Sequence, residues 1–96
     1  MVEGEARIQV WLPRALRTYT RGRDTVALGG DTLADVIAQL NARFPGIGYR
    51  ILNDQGRLRQ YVLVFVNDDS VAHLEPEAVR LRDGDTVHIL PSVAGG

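Results

Sequence analysis

Two residue types are absent from the 96-residue sequence, which contains no cysteine and no lysine. Without cysteine the chain can form no disulfide bond, no thiolate metal site and no cysteine nucleophile. Because all 11 basic residues are arginine, any chemistry that needs a lysine amine must take that amine from a partner. A codon bias that favours arginine explains the missing lysines better than selection does.

The chain also lacks a basic excess and a long apolar run. Its net charge of -1 argues against a general nucleic-acid binder. No apolar stretch approaches the ~20 residues that span a bilayer, and the acidic start MVEGEARIQV lacks the basic and apolar regions of a signal peptide. We therefore expect one cytoplasmic domain that binds neither nucleic acid nor membrane.

Alternating hydrophobicity predicts two strands near the start of the chain, in ARIQVWL and TVALGG. Strands this close in sequence should pair as an antiparallel hairpin. The stretch between them, RALRTYTRGRD, is predicted to be a polar connection with a turn near Gly22.

The strongest pattern is helical and lies in GGDTLADVIAQLNARFPG. Thr32 is suited to cap the helix, Asp35 favours its first turn, and Pro45-Gly46 ends it. The apolar residues form one stripe at helical spacing: Leu33, Val36, Ile37, Leu40 and Phe44. A short helical turn is predicted next, in IGYRIL.

The last third of the chain is rich in β-forming residues. LRQYVLVFVNDDSVAHL predicts a strand, a tight turn at Asn67-Asp68-Asp69 and a short return strand, and RDGDTVHIL predicts a turn followed by a final strand. One amphipathic helix must cover one face of this sheet. The element order predicts an α+β fold of the β-grasp (ubiquitin-like) type, with a mixed sheet of four to five strands packed on one main helix and the last strand beside the first.

The sequence ends LPSVAGG, which suits neither a helix nor a strand. We predict a β-grasp domain at residues 1–91 and a flexible C-terminal tail at residues 92–96. Ala94, Gly95 and Gly96 have small or no side chains, so a narrow channel could admit them and bring the terminal carboxylate into a nucleotide site. The alternative is a frayed terminus without function.

The remaining polar motifs are explained by structure rather than chemistry. GGDT resembles a phosphate-binding turn but lacks the spacing of a nucleotide-binding loop, so a capped strand-to-helix turn explains it better. The acidic pairs Asp68/Asp69 and Asp83/Asp85 lie in predicted turns. The two histidines, at positions 73 and 88, have no metal-ligand spacing. We therefore predict no catalytic side chain and no metal site.

A possible partner surface lies on the sheet face opposite the helix. By alternation, Trp11 and Leu90 point to that face, and they lie close together if the first and last strands are neighbours. Val62 could join them, depending on the register of its strand. Exposed apolar patches mark partner surfaces, although a ragged edge of the core is an equal alternative.

Three features together resemble the MoaD/ThiS family of prokaryotic sulfur carriers, which are ubiquitin-like proteins. They are the turn VND..V at residues 66–71, the ending L.DGDTVHILPSVAGG from Leu81, and the helix that follows GDTL. Within the family, LPSVAGG, LPRALRTYT and ILNDQGRLRQYVLVFVND are most similar to the CysO-type carriers of cysteine biosynthesis.

This resemblance implies a mechanism. A partner adenylating enzyme of the ubiquitin-activating (E1-like) type uses ATP and magnesium to activate the carboxylate of Gly96, and sulfide or a persulfide then displaces AMP to leave a thiocarboxylate. A pyridoxal-phosphate cysteine synthase holds the activated serine that accepts the sulfur, and a metalloprotease trims the product. The chain itself is then a carrier and co-substrate, not an enzyme, and binds no cofactor.

Other interpretations stay open at this point. The chain could be the small subunit of molybdopterin synthase, in complex with the large subunit. It could be a ubiquitin-like modifier, with Gly96 joined to a lysine of a target, or a plain interaction domain without chemistry. Fold and tail alone do not decide which pathway receives the sulfur.

Overall fold

The computed structural model describes residues 7–91, which form a five-stranded sheet with the main helix packed on one face. The strands are β1 (Arg7–Trp11), β2 (Thr25–Gly29), β3 (Val62–Val66), β4 (Asp69–Ser70) and β5 (Thr86–Pro91), and the helices are α1 (Leu33–Arg43) and α2 (Ile47–Ile51). Two short 3-10 turns complete the structure, at Arg14–Leu16 and Pro76–Ala78.

The strand order across the sheet is β2-β1-β5-β3-β4. The central strands β1 and β5 run parallel, and every other neighbouring pair is antiparallel. The predicted hairpin and the predicted position of the last strand beside the first are both confirmed. Parallel neighbours require a crossover connection, and α1 lies in the one that joins the two halves of the sheet. This is the β-grasp arrangement that the sequence predicts.

The core lies between α1 and the inner face of the sheet. In β1, Ile8 and Val10 are fully buried while Arg7, Gln9 and Trp11 are exposed, as the alternation predicts. The other strands and the predicted helical stripe complete one apolar cluster, with Val26, Leu28, Val64, Val87, Ile89, Leu33, Val36, Ile37 and Leu40. Phe44 follows the last helical residue and packs against this cluster half-buried.

Helix α1 begins at a complete capping box. The Thr32 side chain accepts a hydrogen bond from the backbone N–H of Asp35, and the Asp35 carboxylate accepts one from the backbone N–H of Thr32. These contacts satisfy N–H groups that have no partner within the helix. The helix ends at Arg43, just before Pro45-Gly46, and the predicted short helical turn follows as α2.

The connection between β1 and β2 is more ordered than the sequence predicts. It contains the 3-10 turn, and it buries Leu16 and Thr20. The Thr20 hydroxyl donates to the carbonyl of Arg23 at 2.8 Å, which explains how a polar side chain can be buried here. The predicted turn near Gly22 is present, and Gly22 has a φ of 88°.

No helix within residues 7–91 has both the length and the apolar character needed to cross a membrane. The cytoplasmic location stays a prediction. The predicted tail at residues 92–96 lies outside the described residues, so its flexibility also stays a prediction.

Candidate functional site

The candidate site begins where β5 ends, because the chain continues from Pro91 to Gly96. Pro91 is paired with Val62 at the start of β3, and β1 also ends at this edge of the molecule. The residues predicted to be activated or threaded, Ala94, Gly95 and Gly96, lie outside the described residues. Five fully extended residues span at most about 18 Å, so covalent geometry keeps Gly96 within that distance of Pro91.

An apolar patch covers the outer face of the sheet beside this edge. The Trp11 ring stacks on His88 with ring centroids 5.8 Å apart and an interplanar angle of 5°. Trp11 and Leu90 are 40% and 42% exposed. Leu63 and Phe65 are half-buried and pair with Leu90 and His88 across β3 and β5. Trp11 pairs with His88, two residues before Leu90, so Trp11 and Leu90 lie on the same face of the neighbouring strands β1 and β5. We call these five residues the outer patch.

The placement of Val62 on this face is wrong. Val62 is only 7% exposed and belongs to the core on the opposite face of the sheet. The register of β3 decides this, because Val64 pairs with the buried Ile89 and residues two apart share a face. Leu63, which pairs with Leu90, lies on the outer face instead.

Val62 nevertheless contributes to a shallow groove at the same edge. The groove has a volume of about 170 Å³ and runs between the 3-10 turn and the ends of β3 and β5. It is lined by Pro13, Ala15, Leu16, Arg50, Tyr61, Val62, Ile89, Leu90 and Pro91. The last described residue of the chain is therefore itself one wall of a mostly apolar groove. Whether Trp11, Val62 and Leu90 bind a partner stays a prediction.

Sequence reasoning missed Leu63, Phe65, His88 and the groove residue Tyr61. Leu63 and Phe65 could have been found from the alternation of YVLVFV once the buried positions of β3 were known. The Trp11–His88 stack depends on the parallel pairing of β1 with β5, which brings together residues far apart in sequence. No local pattern carries that information.

Two of the acidic turn residues, Asp83 and Asp85, have structural partners. Asp83 accepts a hydrogen bond from the backbone N–H of Arg7 at 2.8 Å. Asp85 accepts from the backbone N–H of Arg82 at 2.8 Å and from the side-chain amide of Asn67 at 3.1 Å. These bonds tie neighbouring turns together at the edge of the sheet opposite Pro91, as turn carboxylates commonly do.

The start of α1 does not offer a phosphate site. The Asp35 carboxylate accepts hydrogen bonds from the backbone N–H groups of Asp31 and Thr32, both at 3.2 Å. A phosphate at this helix end would be repelled by the Asp35 carboxylate, and the N–H groups of Asp31 and Thr32 already donate to that carboxylate. The capping box between Thr32 and Asp35 confirms the capped turn that the sequence predicts. The turn also packs closely on the helix, because a β-carbon on Gly30 would lie 2.9 Å from the Val36 side chain.

Within residues 7–91, no group of three or more potential ligand side chains could hold a metal ion. His73 is exposed, and His88 lies in the outer patch. The side chains at this edge of the molecule can therefore provide contact surface and charge.

Comparison with known proteins agrees with this arrangement. The ThiS family profile matches residues 10–96. The sulfur carrier protein CysO of Mycobacterium tuberculosis is 41% identical over 91 residues, which cover 93% of this chain and 98% of that protein. The small archaeal modifier protein 3 of Haloferax volcanii is 40% identical over 65 residues, covering 68% of this chain and 70% of that protein.

Solved structures show the same fold. The crystal structure of Mycobacterium tuberculosis CysO matches with a TM-score of 0.83 and 39% identity, covering 90% of this chain and 99% of that one. A chain in the Amycolatopsis orientalis BexX/CysO complex matches with a TM-score of 0.83 and 36% identity, covering 93% and 99%. With a family match that runs from residue 10 through the Gly-Gly ending, this chain belongs to the ThiS family.

Proposed function

We propose that this protein is a sulfur carrier whose C-terminal carboxylate, on Gly96, is converted to a thiocarboxylate. The observation that carries the proposal is the extent of the likeness to a sulfur carrier protein, which covers 93% of this chain at 41% identity. The family match continues through Gly96, so it includes the residue at which the chemistry would occur.

The chemistry requires two steps on a partner enzyme. The Gly96 carboxylate attacks the α-phosphate of magnesium-bound ATP, which releases pyrophosphate and forms an acyl-adenylate. Sulfide or a persulfide sulfur then attacks the carbonyl carbon and displaces AMP, and a persulfide additionally needs a thiol to cleave its S–S bond. The chain contributes the carboxylate and the contact surface around Pro91, while the adenylating enzyme supplies ATP and magnesium. This division suits a protein without cysteine.

The acceptor that we propose is the activated serine of a pyridoxal-phosphate cysteine synthase. The support is the name of the Mycobacterium tuberculosis relative, sulfur carrier protein CysO, together with the matching length of the two chains. A metalloprotease that releases the product from the tail belongs to the same proposal. The small-subunit role in molybdopterin synthase is the alternative within the same chemistry.

A second candidate function is protein modification. The Haloferax volcanii relative at 40% identity is a modifier protein, and a modifier would use the same activated Gly96 to acylate a lysine of a target. The two functions differ in the nucleophile that attacks the acyl-adenylate. A carrier accumulates a thiocarboxylate, whereas a modifier accumulates conjugates of higher mass.

The test is the intact mass of the protein purified gently from the cells that make it. A species heavier by the replacement of one oxygen with sulfur, located at Gly96 by fragmentation, is the expected result. The control is a variant that lacks Gly95 and Gly96, which should fold normally because the core residues of the described chain lie between Ile8 and Ile89. If ATP, sulfide and cell extract leave the wild-type mass unchanged, the carrier function is wrong.

A further inference from the structure

Charge is unevenly distributed between the two ends of the strands. The connection from Leu12 to Asp24, at the Pro91 edge of the molecule, contains four arginines and one aspartate. Further arginines reach this edge from the helices and from the loop before β3. The tail-proximal arginines are Arg14, Arg17, Arg21, Arg23, Arg43, Arg50 and Arg59.

The opposite edge of the sheet is mainly acidic. Its turns lie between β2 and α1, between β3 and β4, and before β5, and they contain Asp31, Asp68, Asp69, Asp83 and Asp85. Three arginines also lie near this edge: Arg7, Arg80 and Arg82. Although the net charge is only -1, the molecule has one basic edge and one mainly acidic edge.

Within residues 7–91, no carboxylate forms an ion pair with the tail-proximal arginines. Among residues 7–91, the ion pair is between Arg57 and Glu75, which are not part of this group. Arg17 and Arg59 donate to the backbone carbonyls of Leu12 and Tyr49, which orients their side chains but leaves their charge unpaired. An unpaired cluster of exposed charges produces a potential that acts on an approaching partner.

Two local surfaces present these arginines. Arg50 lines the groove that contains Pro91, and Arg14 lies in the 3-10 turn along its other side. A second hollow, on the β1–β2 side, has a volume of about 450 Å³. It is lined by Tyr19, Thr20, Arg21, Arg23, Arg43, Phe44 and Pro45. The basic surface thus extends from the root of the tail to the end of α1.

The length of the chain beyond Pro91 fixes what this surface must face. Gly96 lies at most about 18 Å from Pro91, because five residues cannot span more. Whenever Gly96 occupies the nucleotide site of an adenylating enzyme, the surface around Pro91 must therefore lie against the entrance to that site. Arg50, which lines the groove with Pro91, and Arg14, in the 3-10 turn beside it, then face the rim of the entrance.

We propose that the tail-proximal arginines dock on a rim of Asp and Glu side chains around the entrance to the adenylating site of the partner enzyme. The inference rests on the proposed function and adds the chemistry of the partner surface. Rim charges act mainly on the association rate, since they orient the partners before close contact. The acidic opposite edge would be repelled by such a rim, so the molecule is oriented with its tail toward the site.

A nucleic acid is the other polyanion that arginines could bind, and the structure favours the protein rim. A nucleic-acid binder has a basic excess, whereas this chain has a net charge of -1. The position of the arginines around the covalent root of the reactive tail is explained by an enzyme entrance. A nucleic acid gives no reason for that position.

The experiment measures ATP–pyrophosphate exchange with the adenylating enzyme purified from the cells that make this chain. One variant carries Arg14→Gln, Arg23→Gln and Arg50→Gln, whose exposed side chains hold no structural bond in the described residues. The matched control has the same net charge but carries Arg7→Gln, Arg80→Gln and Arg82→Gln at the acidic edge. A third variant, with Arg14, Arg23 and Arg50 changed to Lys, keeps the charge, and the assay is run at pH 7, where lysine amines are almost entirely protonated and therefore poor nucleophiles.

We expect the KM for the first variant to rise about tenfold at low ionic strength with kcat unchanged, because the lost charges slow association. The difference should shrink as salt increases from about 20 to 300 mM, which shortens the Debye length. The acidic-edge control and the lysine variant should keep the wild-type KM.

The outcomes separate this proposal from the proposed function. If wild-type protein supports no exchange, the proposed function is wrong and this inference fails with it. If wild-type protein is active and the first variant has the same KM and the same salt dependence, the arginines do not dock and only this inference is wrong. This inference is also wrong if the acidic-edge control raises KM equally, or if the variant loses affinity only for a single-stranded RNA probe.

Discussion

At the residue scale, the start of α1 shows how few atoms define an element boundary. The Thr32 hydroxyl lies 3.1 Å from the backbone N–H of Asp35 and satisfies a donor that has no partner within the helix. The sequence was sufficient to predict this cap, because a capping residue followed by a carboxylate three positions later is a local signal. It was not sufficient to predict burial of Thr20, whose hydroxyl bonds to Arg23 only once the β1–β2 connection has folded.

We expect Thr32→Ala to lower the free energy of unfolding by about 1 kcal/mol, which is the usual cost of losing a capping side chain. Thr32→Ser retains the hydroxyl and should lose much less. Urea unfolding monitored by circular dichroism gives both values. Equal stability of Thr32→Ala and wild type would show that this bond to Asp35 contributes nothing. Activation of Gly96 should be unchanged in both variants, since Thr32 lies at the edge opposite Pro91.

At the element scale, strand β3 separates what the sequence could predict from what it could not. Its existence and its turn at Asn67 follow from composition. Its register does not, because each apolar residue of VLVFV is compatible with either face. Hydrogen-bonded pairing with β5 places Val64 beside Ile89, and this pairing assigns Val62 to the core and Leu63 to the outer patch. A shift of one residue would exchange these faces.

Shortening a side chain to alanine should have opposite effects on the two faces of the sheet near Pro91: a loss of stability on the inner face and a higher KM on the outer face. Val62→Ala removes two buried methyl groups and should lower the free energy of unfolding by about 2 kcal/mol, at about 1 kcal/mol for each. Leu90→Ala removes a side chain that is 42% exposed and should change stability much less. Leu90→Ala should instead raise the KM in ATP–pyrophosphate exchange, because it removes apolar contact area beside the tail.

Urea unfolding and the exchange assay on the same two preparations provide the comparison. A large loss of stability in Leu90→Ala, with unchanged KM, would mean that the outer patch is an uncovered part of the core and not a partner surface. The alternative from the sequence analysis, that these residues are a ragged edge of the core, would then be correct.

At the scale of the whole molecule, the chain combines a basic edge with an absence of side-chain amines. All 11 basic residues are arginine, including those around Pro91. A guanidinium keeps its proton throughout the physiological range and is a poor nucleophile, whereas a lysine amine loses its proton more readily and attacks acyl-adenylates. Arginine therefore supplies charge beside an activated carbonyl without a competing acceptor. This consequence holds even if codon bias caused the missing lysines.

We therefore expect that Arg50→Lys makes the protein react with itself. With adenylating enzyme and ATP but no sulfide, the new amine should attack the activated carbonyl of Gly96, release AMP and form an isopeptide bond. Intramolecular attack gives a species lighter by one water than the starting protein, independent of protein concentration. Position 50 is suited to this reaction because its side chain lines the groove beside Pro91, and five residues beyond Pro91 can span at most about 18 Å.

The matched control is Arg82→Lys, which places an amine at the edge opposite Pro91. We expect less of the dehydrated species from this variant and none from a double variant that carries Arg50→Lys but lacks Gly95 and Gly96. The three variants are incubated with the enzyme and ATP at pH 8.5 to 9, about one to two units below the ordinary lysine pKa, and intact mass spectrometry then measures the dehydrated species in each. Equal yields from positions 50 and 82 would show that proximity to the tail does not control the reaction. No product from either would show that the enzyme shields the adenylate, so that the absence of lysine has no protective effect.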